Sequence, residues 1–113
     1  MNNERILSLL GLARRAGKIS IGHDAAIGAI VKNKAKLCVM SRDSSERLKK
    51  EFSHACEFQN KNIALIILSE DMLSFSKAVG CKCAVLTVDD EGFANKILSL
   101  YEALNNNTAD GKE

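Results

Sequence analysis

Apolar residues recur along this chain with two alternating periods. From Glu4 to Ala16, Ile6, Leu9, Leu10 and Ala13 fall at the spacing that places one stripe of a helix in a core. Gly17 is a natural stop for that helix, and Lys18 to Ile21 read as a short strand. Gly22-His23-Asp24 open a second helix that carries Ala25, Ala26, Ala29 and Ile30 to about Asn33. Leu37 to Met40 form an apolar strand, and Ser41 to Ser44 read as a loop and cap for a third helix ending near Gln59. Asn60-Lys61-Asn62 turns the chain into Ile63 to Leu68, an unbroken apolar run suited to a central strand covered on both faces. Ser69 is the expected cap of a fourth helix, which stops at Gly80. Cys83 to Val88 read as the last strand and Gly92 to about Leu104 as the last helix.

Strands alternating with helices at this spacing predict a three-layer α/β/α sandwich. Its sheet is expected to be mixed and mostly parallel, with about four strands and five helices. Residues 1–104 are expected to form a single domain and 105–113 a polar, frayed tail. There is no proline, internal repeat or low-complexity linker to divide the chain.

Composition narrows the function. A chain of 113 residues with 46% hydrophobic content can bury a core without staples. Four Phe, one Tyr and no Trp argue against a sheet face that stacks unpaired bases. No apolar run reaches membrane-spanning length, and Asn-Asn-Glu-Arg near the start is unlike a signal peptide, so a cytoplasmic protein is expected. Cys38, Cys56, Cys81 and Cys83 lack paired zinc-ligand spacing and read as free thiols in a reducing compartment. Cys38 and Arg42 have no glycine-rich anion cradle between them, against a phosphatase loop. With no nucleophile-base pair or metal constellation in the pattern, neither an enzyme, a metal site nor a cofactor is expected.

Net charge is only +2, but its distribution is uneven. Residues 1–50 hold eleven Lys/Arg against four Asp/Glu, a balance of +7, and residues 51–113 hold five against ten, a balance of −5. Much of the positive half clusters around one junction, RRAGKISIGH at 14–23. A helix starting at Gly22 offers free N–H groups and the positive end of its dipole, and glycine admits a close neighbour. Arg14, Arg15 and Lys18 supply counter-charges if the turn brings them alongside, and Lys32, Lys34 and Lys36 extend the basic segment. No P-loop or G-x-G-x-x-G occurs, so a longer polyanion is the expected ligand. Plainer roles stay open for each residue: Gly17 as helix stop, Gly22 as turn, His23 as an exposed first-turn residue, Asp24 as dipole complement and the lysines as a solvated helix end.

The order of motifs resembles the kink-turn-binding ribosomal protein superfamily of ribosomal L-seven-Ae, and most closely its bacterial YlxQ-type group. The matching words are Leu9-Leu10-Gly11-Leu12-Ala13, Arg15-Ala16-Gly17-Lys18, Gly22, Ala35-Lys36-Leu37, Asp43-Ser44-Ser45 and Gly92-Phe93-Ala94-Asn95-Lys96. The resemblance spans nearly the whole chain. It implies an α/β/α sandwich that binds structured RNA without catalysis, in ribosome association or RNA assembly, with ribosomal RNA or the ribosome as partner. Kink-turn readers in that family open the second helix with Gly-x-Asn-Glu-x-x-Lys; this chain keeps Gly22 but has Asp24, Ala25 and Gly28 at the following three positions. Asp cannot donate as Asn does, and Ala25 and Gly28 offer no polar side chain to a base, so phosphate anchoring outlasts base discrimination.

The resemblance also implies a second contact in the loop after the fourth helix, with Val79 and Gly80 against a nucleotide and Lys82 on phosphate. The expected RNA-binding set is therefore Arg14, Arg15, Lys18, Gly22, His23, Asp24, Lys32, Val79, Gly80 and Lys82. The competing reading is a protein-interaction module on the same scaffold that has lost RNA recognition.

Overall fold

A computed structural model describes residues 4–58 and 63–110, the last six of these as backbone only. The turn expected at Asn60-Lys61-Asn62 and the final residues of the expected tail, 111–113, lie outside the described residues. The elements run α1 (Glu4–Arg15), β1 (Ile19–Ile21), α2 (His23–Val31), β2 (Leu37–Met40), α3 (Glu46–Glu57), β3 (Ala64–Ile67), α4 (Met72–Val79), β4 (Val85–Val88) and α5 (Glu91–Asp110). Helix α5 thus continues past Leu104, where the sequence pattern loses its apolar residues.

Local chemistry sets most of these boundaries. Gly17 sits at φ +73°, and the Gly17 and Lys18 N–H groups donate to the Arg14 and Ala13 carbonyls at 3.0 and 2.8 Å, a Schellman closure of α1. Helix α3 is capped by Ser45, one residue past the expected loop and cap at Ser41 to Ser44, its Oγ accepting the Leu48 N–H at 3.1 Å. Helix α4 is capped by Asp71, not the expected Ser69: the Asp71 carboxylate accepts the Ser74 N–H at 2.9 Å. A carboxylate there meets the positive end of the helix dipole, which a hydroxyl does only weakly.

The sheet order is β1-β4-β2-β3. β2 and β3 are parallel, whereas β4 is antiparallel to both β1 and β2, so the sheet is mixed and not mostly parallel as expected. The cause lies after α4. Gly80 takes the left-handed conformation at φ +82°, and the following chain turns back along the helix. Ser76 Oγ both accepts the Cys83 N–H at 3.0 Å and donates to the Cys83 carbonyl at 3.2 Å, holding that return. β4 therefore starts at the sheet end where β3 finishes and runs back against β2.

Two cores flank this sheet. Leu37, Val39, Ile66, Leu86 and Val88 face Ile6 and Leu10 of α1, Phe75 and Val79 of α4, and Ala94 and Ile97 of α5. The intervening residues Cys38, Met40 and Val85 face Ala26, Ala29 and Ile30 of α2 and Phe52 and Cys56 of α3. The apolar strands are thus read with period two, one residue to each helical layer. Because Phe75 is fully buried, Phe75→Ala is expected to lower stability by about 3–5 kcal/mol. Leu73→Ala, on the exposed side of the same helix, should change it by roughly 0.5 kcal/mol or less; urea midpoints of the two variants measure the contrast.

Candidate nucleic-acid interface

The start of α2 is built on a glycine that no other residue replaces without strain. Gly22 stands at φ +95°, and a Cβ there would meet nothing within 4 Å, so the requirement is conformational and the space above it is open. Its N–H donates to the Val85 carbonyl at 3.0 Å. That bond ties the β1–α2 turn to the chain entering β4, directly after the Gly80 loop. Gly80 itself lies at the other end of that return, beside Arg14 of α1.

His23 lies between two carboxylates. Its Nδ1 is 3.0 Å from Asp24 Oδ1, its Nε2 is 2.8 Å from Glu51 Oε2 on α3, and its ring stands edge-on to Phe52 at 5.5 Å. A neutral imidazole has one N–H, so only the imidazolium donates to both oxygens. The Asp24 and Glu51 hydrogen bonds accordingly raise the His23 pKa above 6.5, against a small opposing effect of burial. The Asp24 side chain is otherwise fully exposed to solvent. With His23 protonated, this helix start presents a cation bracketed by two anions, a surface suited to hydrogen-bonding edges more than to bare phosphate.

The expected cations do not all gather here. Arg14 is turned inward along the surface: its Nη1 donates to the Val79 carbonyl at 2.9 Å and lies 2.8 Å from where a Gly80 Cβ would sit. It caps the negative end of α4 and positions the loop, in place of the phosphate contact expected of it. Val79 is 2% exposed and belongs to the core, since it follows Phe75 by one turn on the buried face; its side chain is not available to a nucleotide. Gly80, Cys81 and Lys82 are exposed and remain available.

Lys18 and Lys32 lie at the other end of the sheet. Three strand residues at about 3.3 Å each separate Lys18 from Gly22, and the nine-residue helix α2 sets Lys32 about 14 Å from its start. Arg15 is exposed on the last turn of α1.

Sequence reasoning passed over three features beside this edge. Met72, Leu73, Ser76, Lys77, Gly80, Cys81 and Lys82 line an open apolar groove of about 510 Å³, with Leu73 67% exposed. The signal was present, because apolar residues at 72, 73, 75, 78 and 79 are too widely spread for one buried stripe. The loop after β2 is a second: the Asp43 carboxylate accepts from Ser41 Oγ at 3.0 Å and from the Met72 N–H at 2.9 Å, while Arg42 Nε donates to the Ser69 carbonyl at 3.1 Å. Glu51 is the third, 28 residues from His23 with no local pattern to announce it.

The Cys38 and Cys56 thiols share a hydrogen bond, which lowers the Cys56 pKa. Contact with Cys56 and burial push the Cys38 pKa far up, and burial pushes Cys83 up to about 11. Among the described residues neither histidine is hydrogen-bonded to a thiol, and no three His, Cys, Asp or Glu side chains are placed to hold a metal ion. No helix among them is long and apolar enough to cross a membrane.

Residues 4–98 match the model of the ribosomal protein L7Ae/L30e/S12e/Gadd45 family. An RNA-binding protein YlxQ from Bacillus subtilis is 33% identical over 83% of this chain and 92% of its own. Its namesake from Enterococcus faecium is 29% identical over 89% and 95%. A solved protein of unknown function from Bacillus halodurans superposes with a TM-score of 0.78 at 28% identity, covering 85% of this chain and 95% of that one. The Giardia lamblia 15.5 kD RNA-binding protein shares the fold, with a TM-score of 0.71 at 18% identity over 88% and 86%.

The geometry around His23 has a measurable consequence. Its folded pKa is raised, so the stabilisation from the imidazolium is fully present below the unfolded value near 6.5 and fades as pH rises through the higher folded value. An NMR titration of the ring is expected to show a midpoint above 6.5, and Glu51→Gln should move it down.

Proposed function

Because the chain belongs to the ribosomal protein L7Ae/L30e/S12e/Gadd45 family, we propose that it binds structured RNA without catalysing a reaction. The observation that supports this most is the open start of α2, where Gly22 stands at φ +95° with nothing within 4 Å of a side chain's first carbon. Both YlxQ relatives are RNA-binding proteins by name, and they align along most of this chain.

The finer reading is of kink-turn-like RNA, in ribosomal RNA or an assembling ribonucleoprotein, recognised through shape more than base identity. Gly22 admits the close approach; the exposed His23 ring and the Asp24 carboxylate meet sugar or base edges; Lys82 contacts phosphate. Ala25 and Gly28 add no polar side chain, so little discriminates one base from another. The exposed Leu73 and its groove favour the alternative, a protein-interaction module without RNA recognition. Purified protein free of nucleic acid that is retained on a protein partner would decide for that alternative.

Fluorescence anisotropy with a kink-turn RNA, across a salt series, tests the RNA reading. Affinity should fall steeply with salt, Lys82→Ala should reduce the slope by about 1, and His23→Ala should weaken binding at every salt concentration. Replacing the sheared G·A pairs should alter affinity by only a few fold. Salt-independent binding, or full affinity in the His23→Ala/Lys82→Ala double variant, would refute this interface.

A further inference from the structure

The lysines that the fold carries away from Gly22 collect at one place. In the sheet, Ile19 and Leu37 both pair with Val88, so Lys18 and Lys36 stand on either side of Asp89. Two strand spacings put them about 10 Å apart. Their backbones are fixed: the Asp89 N–H donates to the Lys18 carbonyl at 2.7 Å and the Lys36 N–H to the Val88 carbonyl at 2.8 Å. Lys32 caps the C-terminus of α2, and Lys34 follows with its N–H on the Ala29 carbonyl at 2.9 Å. All four lysines are exposed, and among the described residues none makes an ion pair.

The neighbouring carboxylates are otherwise engaged. Asp89 accepts from Ser20 Oγ at 2.6 Å and Thr87 Oγ1 at 2.9 Å, and Asp90 accepts the Phe93 N–H at 2.9 Å as the cap of α5. Glu91, in the first turn of α5, pairs with no lysine among the described residues. Four like charges on a fixed backbone outnumber the three carboxylates beside them and, among the described residues, pair with none of them, which suits them to a chain of phosphates.

We propose that this sheet end is a second, phosphate-binding surface of the protein, formed by Lys18, Lys32, Lys34 and Lys36. It takes the sugar-phosphate backbone of an RNA helix flanking the element held at Gly22. The proposal rests on the RNA reading above. It adds that the two contacts lie at opposite ends of α2, about 14 Å apart, so the ligand must extend along that helix.

The test uses two probes: a kink-turn RNA carrying a flanking duplex, and the same RNA trimmed of that duplex. The triple variant K32A/K34A/K36A should bind the extended RNA about tenfold or more weakly at low salt, with a salt slope shallower by about 3, near 1 for each lost contact. Its affinity for the trimmed RNA should match wild type, and the triple arginine variant should bind both RNAs normally. Wild-type affinity and slope of the alanine variant on the extended RNA would overturn the proposal while leaving the RNA reading intact. Equal losses on both probes would also overturn it, by placing the lysines on the recognised element itself. A wild-type protein that binds neither probe removes the RNA reading and this surface together.

Discussion

One strand of four residues, Val85–Val88, holds both candidate surfaces through its own backbone. At its start, the Val85 carbonyl accepts the Gly22 N–H and the Ala84 carbonyl accepts the Ser41 N–H, each at 3.0 Å. At its end, Val88 and Asp89 bond the backbones of Lys36 and Lys18. These groups would be left unpaired in a buried setting without one another, which makes the arrangement costly to deform. β4 is buried along its whole length between two helical layers, so the segments attached at either end inherit a rigid support.

The same strand explains what the sequence could and could not disclose. Elements made by local chemistry were legible: Gly17 closing α1, Gly80 closing α4, and β2 at Leu37–Met40. The order and direction of strands were not, because they depend on the return after Gly80 that Ser76 and Cys83 hold. A helix between two strands ordinarily implies a parallel crossover. Here α4 is followed by a doubled-back loop, and the crossover rule no longer applies.

The candidate site was legible to a similar degree, for similar reasons. Gly22 and the Gly80 loop could be marked from spacing and from family resemblance, and both glycines take a positive φ. The mistake concerned reach. Nearness in sequence suggested that Arg14, Lys18 and Lys32 share a corner with Gly22, whereas even a three-residue strand and a nine-residue helix carry cations to another end of the sheet. Arg14 illustrates the other limit: a guanidinium near a helix end finds a carbonyl, and only the tertiary packing of α1 on α4 shows which one. Val79 belongs with it, since a residue at the end of an amphipathic helix can still face the core.

The uneven charge of the two halves of the chain has a structural counterpart. Asp43, Asp71, Asp89 and Asp90 each accept hydrogen bonds from backbone amides or hydroxyls, and three of them do so at the starts of α4 and α5. A carboxylate at a helix N-terminus meets about half a unit of opposing charge from the aligned peptide dipoles. The Ser74 N–H accordingly holds Asp71 below the usual carboxylate range. The acidic side chains thus serve the architecture and are partly compensated by it. Among the described residues the exposed Lys18, Lys32, Lys34 and Lys36 make no ion pair, so their field extends further into solvent than a net charge of +2 suggests. Attraction to a polyanion therefore depends on where the fold leaves lysines unpaired, and a nearly neutral total is compatible with one positively biased surface.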